Sequence, residues 1–177
     1  LPFPPLADGV VALRGFESSD VPALAAACQD PQISRFTLVP SPYGEDDARA
    51  YLQRVADGRA AGTSASFAIV GDGDPGALLG TAGLNVIDWA ARAADVGYWL
   101  TAPVRGHGLA TRAVELLVVW AFDSLGLERL DLRAHEENHA SQAVAARTGF
   151  HPVAAPVVQR PECDHMPDVF FARRRGG

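Results

Sequence analysis

The chain has 177 residues, with 15 basic and 21 acidic side chains, a net charge of −6 and 48% hydrophobic residues. Every basic residue is an arginine, which excludes Schiff-base enzymes and P-loop nucleotide-binding proteins, because both need a lysine. The length predicts one domain over residues 1–177, and the acidic balance argues against nucleic-acid and membrane partners. No run of about 18 apolar residues predicts a membrane span. The N-terminal LPFPPLADG lacks the features of a signal peptide, so we expect a cytoplasmic protein.

The two cysteines, Cys28 and Cys163, lie far apart in the chain. Without an export signal, free buried thiols are expected rather than a disulfide. Cys163 and His165 have the spacing of a metal-binding pair, but no second pair follows at ligand spacing, so we expect no metal. The arginine run at 173–175 is expected to be solvated.

The first half of the chain changes from helical to strand periodicity near residue 65. Residues 1–9 are rich in proline and are expected to be extended, and the stretch before Gly44 is a predicted loop with one helical turn. The turn residues GDGDPG (71–76) join two strands, so we expect an antiparallel meander. The predicted elements are a strand at 10–16, helices at 21–28 and 45–58, and strands at 66–70, 77–88 and 93–101.

The second half alternates helices and strands. The predicted elements are helices at 106–125 and 138–148 and strands at 127–135, 150–158 and 168–173. The whole order is β-α-α-β-β-β-α-β-α-β-β. This order predicts an α/β protein with a mixed sheet and helices on both faces.

A glycine-rich turn opens the helix that follows the third strand of the meander, in the segment GYWLTAPVRGHGLAT. Gly106 and Gly108 have no Cβ, so a ligand can approach the backbone closely there. The first amides of the helix lack intrahelical acceptors, and the helix dipole adds positive charge. The segment therefore predicts a site for a phosphate or pyrophosphate, and a helix start with two packing glycines is the alternative.

A second segment, HEENHASQAVAARTGF, begins the next predicted helix. Asn138 is a good N-cap residue, Ser141 lies three residues inside the helix, and Gly149 is a suitable C-cap.

Together these segments resemble the GNAT superfamily of N-acetyltransferases. R-G-x-G-x-A, from Arg105 to Ala110, is similar to the Gln/Arg-x-x-Gly-x-Gly/Ala pyrophosphate signature of that superfamily. GYWL before it and N-x-x-S…GF after it resemble the RimJ/RimL type, the ribosomal-protein N-terminal acetyltransferases. The resemblance runs from about Val10 to the last strand. It implies the GNAT fold, in which two central parallel strands splay apart around acetyl-CoA, and direct transfer of the acetyl group to a primary amine.

The resemblance also implies how acetyl-CoA, or another acyl-CoA, is bound. Backbone groups from Leu100 to Val104 would pair with the pantetheine amides as an added strand does. Amides from Arg105 to Ala110 would hold the pyrophosphate, with Arg105 and Arg112 adding charge. Asn138 would bond the pantetheine arm, a role compatible with capping its helix. The implied cofactor residues are Leu100, Thr101, Val104, Arg105, Gly106, His107, Gly108, Leu109, Ala110, Thr111 and Asn138.

Acyl transfer of this kind needs an amide for the oxyanion and a proton donor for the leaving thiolate. By resemblance, the amide near Leu100 serves the oxyanion. Many relatives carry a tyrosine further along the second helix as the donor, but this sequence has none there. We therefore expect Ser141 to be the donor, with water as a substitute, and a serine that only satisfies helix amides is the alternative.

The attacking amine must lose a proton to a base. Asp95, on the strand DVGYWL, resembles an acidic position used as the base in some relatives and is the preferred candidate. The alternatives are Glu136 and Glu137, acting through water, and His135.

The acceptor is expected to be a peptide N-terminal α-amine or a small-molecule amine. Its pocket is assigned to Arg35, Phe36 and Tyr43 in the loop between the first two helices and to the region of Trp89. Arg35 indicates an anionic group on the acceptor or on a larger acyl group, and a surface salt bridge is the alternative. The aromatic residues could equally cover the edge of the core.

Two other functions stay open at this point: transfer of another acyl group such as succinyl from succinyl-CoA, and a non-catalytic acyl-CoA-binding module. A dinucleotide-binding oxidoreductase is disfavoured, because GHGLAT lacks the last glycine of the dinucleotide fingerprint and follows a meander. A homodimer is compatible with the resemblance, although no segment identifies an interface.

Overall fold

The computed structural model describes residues 1, 4, 6–160 and 167–176, so Cys163 and His165 lie outside the described part. Eight strands form one sheet in the order β1-β2-β3-β4-β5-β6-β8-β7. The strands are β1 (Leu6–Ala7), β2 (Val11–Arg14), β3 (Ala65–Gly71), β4 (Gly80–Asp88), β5 (Ala93–Leu100), β6 (Arg129–His135), β7 (His151–Val153) and β8 (Asp168–Arg174). The α-helices are α1 (Val21–Ala27), α2 (Pro31–Phe36), α3 (Glu45–Ala61), α4 (Leu109–Val119) and α5 (His139–Arg147). The mixed α/β sheet expected from the sequence is confirmed.

The sheet is covered on both faces. On one face, α4 and α5 pack on a large core that contains Phe67, Trp120 and Leu132. On the other face, α1 and α3 enclose a smaller cluster against which Trp99 packs. Because side chains alternate along a strand, Tyr98 and Leu100 face α4 and α5, whereas Trp99 faces α1 and α3.

The parallel pair β5 and β6 separates partway along its length. Their register runs from Ala93 opposite Arg129 only as far as Val96 opposite Leu132. Beyond that point β5 stays paired with β4 up to Leu100, and β6 stays paired with β8 up to His135. A bulge at Asn85 of β4 shifts the β4–β5 register beside the point of separation, and bulges bend and twist a strand locally. A V-shaped gap therefore opens between β5 and β6.

Two predicted elements are shorter in the structure. The helix predicted from residue 106 begins at Leu109, because Gly106 and Gly108 adopt left-handed φ angles of +81° and +78°. Its last turn, Trp120–Ser124, is wound as a π-helix. The strand predicted at 150–158 ends at Val153, because the amides of Val157 and Val158 donate to the Asp131 carboxylate instead of to a strand.

Two further expectations are settled locally. The loop before Gly44 contains α2, which is capped by Asp30 through a 2.9 Å bond from the Gln32 N–H. Arg173, expected to be solvated, lies in β8 and pairs with Glu115 at 3.1 Å. Among the described residues, no helix has the length and apolar character needed to cross a membrane.

Candidate active site

A cavity of about 960 Å³ passes through the gap between β5 and β6. On one face of the sheet it is lined by Tyr98, Leu100 and Ser141, together with the start of α4. On the other face it is lined by Asp95, Arg133 and residues of α2 and α3. One continuous space thus links a glycine-rich helix start on one face of the sheet to a polar pocket on the other face. Two substrates could enter such a space from opposite faces and meet inside the sheet.

The backbone of β5 presents unpaired groups to this gap. The Thr101 N–H donates to Leu79 O at 2.9 Å, which shows that residues 97, 99 and 101 direct their backbone groups towards β4. The backbone groups of Tyr98 and Leu100 consequently point the other way, where β6 has already diverged. Leu100 O is held by the Arg105 guanidinium at 2.8 and 3.0 Å. The Leu100 N–H is therefore directed into the gap, where an acyl carbonyl could accept its hydrogen bond.

The turn before α4 forms a cradle around two glycines. Apart from their chain neighbours, no described residue places an atom within 4 Å of the positions that a Cβ would occupy at Gly106 or Gly108. The first intrahelical bond of α4 runs from the Arg112 N–H to Gly108 O at 3.2 Å, so the amides of the residues just before Arg112 lie ahead of it. These amides and the helix dipole make the cradle fit the pyrophosphate of CoA.

The start of α5 brings three polar side chains together at the edge of the gap. Asn138 caps the helix, with its Oδ1 accepting from the Ser141 N–H at 3.0 Å. The Asn138 amide nitrogen takes no part in this cap, and Asn138 lines the same cavity. Ser141 Oγ lies 2.8 Å from the phenolic oxygen of Tyr98. Burial raises the pKa of Tyr98 to about 12, so its phenol is neutral at physiological pH.

Asp95 lies on β5 at the bottom of the gap and is 1% exposed. Its Oδ2 accepts from Asn85 Nδ2 and from Arg160 Nη1, both at 3.0 Å. Its Oδ1 lies 3.5 Å from Arg133 Nε and accepts no hydrogen bond from any described residue. Burial raises the pKa of Asp95 above its ordinary value, although the two arginines and Asn85 oppose that shift. One oxygen of the carboxylate is thus held by two hydrogen bonds, while the other lies in an ion pair with Arg133.

Among the residues assigned to the cofactor, most line the cavity: Leu100, Arg105, Gly106, Gly108, Leu109, Ala110, Thr111 and Asn138. Thr101, Val104 and His107 do not. Thr101 directs its amide to Leu79, the residue before β4, Val104 packs against the main core, and His107 is exposed to solvent.

The charges expected beside the phosphates are engaged elsewhere. The Arg105 guanidinium pairs with Asp30 at 2.7 Å in addition to holding Leu100 O, and Arg112 pairs with Asp8 at 2.8 Å. The Arg105 side chain therefore fixes the turn that leads into α4. Binding of a phosphate in the cradle would depend on the backbone amides of the turn and of the first residues of α4.

Of the four residues assigned to the acceptor pocket, two line the cavity and two lie outside it. Phe36 and Tyr43 line the cavity, and the Phe36 ring lies 5.5 Å from the ring of His135. Arg35 lies outside it, because its guanidinium pairs with Glu137 at 2.6 Å on the surface. Trp89 also lies outside, since it belongs to the β4–β5 hairpin at the closed end of the gap, where its indole N–H donates to Gly62 O at 2.8 Å.

The other base candidates differ in position. His135 lines the cavity, and its Nδ1 accepts from the Glu137 N–H at 3.1 Å. Glu136 and Glu137 are exposed, and Glu137 is occupied by Arg35.

Tyr98, Arg133, Asn85 and Arg160 also belong to the site but were not predicted from the sequence. Tyr98 could have been found, because strand alternation in GYWL places it on the same face as Leu100. Arg133 could have been found in the same way, because it lies between Leu132 and Ala134 of β6, which face the main core, and so points to the opposite face of the sheet. Asn85 depends on a bulge, and Arg160 follows β7 in an irregular segment, so neither carries a sequence signal. Among the described residues, no group of three or more His, Cys, Asp or Glu side chains could hold a metal ion.

Comparisons with known proteins agree with this geometry. The family model described as an acetyltransferase (GNAT) domain matches residues 11–151. An uncharacterized N-acetyltransferase of Bacillus licheniformis, p20, is 29% identical over 74% of this chain and 73% of its own length. The ribosomal-protein-serine acetyltransferase of Escherichia coli K12 is 32% identical over 41% of each chain.

A solved structure of RimL, a ribosomal L7/L12 alpha-N-protein acetyltransferase in complex with coenzyme A, superposes with a TM-score of 0.80 at 21% identity. The superposition covers 97% of this chain and 98% of that one. Likeness at this identity shows the shared fold. The match to the family model extends over most of the chain, and the chain therefore belongs to the GNAT acetyltransferase family.

Proposed function

We propose that this protein transfers the acetyl group of acetyl-CoA to the α-amine of a peptide N-terminus. The observation that carries the proposal is the gap between β5 and β6, where the Leu100 N–H and the Ser141 side chain lie on one cavity with the cradle before α4. The named acceptors of similar proteins support the α-amine: ribosomal-protein serine for the E. coli relative and the L7/L12 α-amine for RimL.

Acetyl-CoA binds with its pyrophosphate on the amides that begin α4. Its pantetheine arm lies along the open edge of β5, as an added strand does, and receives a hydrogen bond from the Asn138 amide nitrogen. This placement brings the thioester into the gap, beside the open part of β5. The Leu100 N–H then donates to the carbonyl oxygen, whose negative charge grows as the amine attacks.

The acceptor amine enters from the α1–α3 face, where Asp95 lies. The Asp95 carboxylate takes the proton that the amine must lose through a chain of water molecules in the cavity, because Asp95 precedes Leu100 by about 16 Å along the extended strand. The nitrogen lone pair forms the new N–C bond, and the C–S bond then breaks with its electron pair on sulfur. The Ser141 hydroxyl donates a hydrogen bond to that sulfur, and the thiolate takes its proton from solvent.

The test is release of free CoA thiol from acetyl-CoA with two matched peptides. One begins with a free serine α-amine, and the other has a blocked N-terminus and carries a lysine ε-amine. We expect release with the first peptide and one acetyl group on its N-terminus by mass spectrometry. The enzyme has no lysine, so acetylation of its own side-chain amines cannot obscure the product.

Other results would redirect the proposal. Release only with the ε-amine or with small amines would refute the α-amine assignment. Release of thiol from succinyl-CoA but not from acetyl-CoA would show that the enzyme transfers a succinyl group instead of an acetyl group. Thermal stabilisation by CoA without release on any acceptor would identify a binding module. A homodimer stays a prediction that sedimentation can test.

A further inference from the structure

The Tyr98 side chain contacts Ser141 but has no part in the steps described so far. Its phenolic oxygen lies 2.8 Å from Ser141 Oγ and 3.5 Å from Ser141 O. Tyr98 belongs to β5, which carries the Leu100 amide, and Ser141 belongs to the first turn of α5. This contact therefore joins the strand that would bind the carbonyl oxygen to the helix that would meet the sulfur.

The direction of the Tyr98–Ser141 hydrogen bond decides what the serine can do. A serine hydroxyl has one proton, and if it is donated to Tyr98 it cannot reach a ligand. Tyr98 has a proton of its own, because burial keeps the phenol neutral. When the phenol donates to Ser141 Oγ, the serine proton is free to point into the cavity. The Ser141 N–H is already fixed by Asn138, so the hydroxyl is the remaining adjustable group.

We propose that Tyr98 is a positioning residue that donates to Ser141 Oγ and so directs the Ser141 O–H at the departing sulfur. This inference rests on the proposed function. A thiol has a pKa of about 8.5, well below that of an aliphatic hydroxyl, so full proton transfer from Ser141 to the thiolate is unfavourable. What the serine supplies is a hydrogen bond that strengthens as the C–S electron pair moves onto sulfur. An oriented hydroxyl gives that bond without rearrangement in the transition state.

A purely structural role for Tyr98 makes a different prediction. Its ring packs against the main core, so a structural role would act through the shape of the gap and would change CoA affinity. A positioning role acts through Ser141 alone. It would change kcat and leave the dissociation constant of CoA unaltered.

The experiment is a double-mutant cycle with Tyr98→Phe, Ser141→Ala and the double variant. Phenylalanine keeps the ring and removes only the hydroxyl. We expect Tyr98→Phe to lower kcat about tenfold, the factor that one ordinary hydrogen bond allows. In the Ser141→Ala background the same change should alter kcat less than about twofold, because the residue through which it acts is gone.

A matched control is Thr148→Val, which also removes a buried hydroxyl bonded to α5, through Val144 O at 2.9 Å. It should lower the melting temperature and leave kcat unchanged. Equal factors for Tyr98→Phe in both backgrounds, an unchanged kcat, or a loss explained by weaker CoA binding would overturn the inference while the proposed function stands. A wild-type enzyme that releases no thiol with any acceptor would refute the proposed function, and the inference with it.

Discussion

Replacing Gly108 by alanine places a methyl group on the surface assigned to the CoA pyrophosphate. Apart from its chain neighbours, no described residue places an atom within 4 Å of that methyl position, so the substitution creates no clash with them. The backbone φ of +78° is unfavourable for alanine, which costs about 1–2 kcal/mol in the free energy of unfolding. A phosphate held by the neighbouring amides would meet the methyl group directly. We expect CoA affinity to fall at least tenfold, or about 1.4 kcal/mol.

Gly73 supplies the matched control for this substitution. It also has a left-handed φ, of +100°, and apart from its chain neighbours no described residue places an atom within 4 Å of its Cβ position. It lies in the turn between β3 and β4, away from the cavity lining. Gly73→Ala should therefore lower the free energy of unfolding by a similar amount without changing CoA affinity. Calorimetric titration with CoA and denaturant unfolding measure the two quantities. Unaltered affinity in Gly108→Ala, or an equal loss in Gly73→Ala, would refute the placement of the pyrophosphate.

Three further substitutions test separate parts of the site and the fold. Asp95→Asn should remove the acid limb of the pH profile of kcat/KM, because the active carboxylate is lost as pH falls through its burial-raised pKa. Asn138→Asp should keep the helix cap, changing the free energy of unfolding by less than about 0.5 kcal/mol, yet weaken CoA binding measured by calorimetry, because the amide donor is gone. Asp20→Asn should lower the free energy of unfolding at neutral pH by about 1.5–3 kcal/mol, because it breaks the two-bond pair with Arg14 at 2.7 and 2.8 Å.

Each of these expectations has a contrary result. A wild-type acid limb in Asp95→Asn would move the base to another group, with His135 next. Unchanged CoA affinity in Asn138→Asp would limit Asn138 to capping. For Asp20, burial alone would raise the pKa, but hydrogen bonds from Arg14 and the Glu17 N–H lower it below 3.8. The destabilisation should therefore be complete above pH 3.8 and disappear as pH falls through the lowered pKa, and a constant difference would contradict this assignment.

The sequence predicts the site best where chemistry depends on the backbone. Gly106 and Gly108 indicate a bare turn whatever packs around it, and Asn138 indicates a helix start by its own side chain. The cradle and the cap could therefore be predicted from local spacing. The strand periods likewise predict which residues share a face, because alternation is a property of the chain itself.

The remaining features depend on contacts that are distant in the sequence. The segment after Val153 has the composition of a strand, yet Asp131 on β6 takes two of its amides, and no local pattern shows this. Arg35 and Arg105 were expected to meet ligands, but Glu137 and Asp30 pair with them across the fold. Tertiary packing decides which acidic side chain pairs with a guanidinium. The ion pairs of Arg35 and Arg105 could therefore not be predicted from the spacing of residues in the sequence.

We propose that acyl-CoA lies in the gap between β5 and β6, with its thioester beside the open part of β5. The most direct measurement is a crystal structure of the protein with a non-reactive acetyl-CoA analogue. We predict pyrophosphate density on the amides that begin α4, the acyl carbonyl oxygen within hydrogen-bond distance of the Leu100 N–H, and the sulfur beside Ser141 Oγ. An analogue bound outside the gap, or with its acyl group directed away from Leu100 and Ser141, would contradict the account.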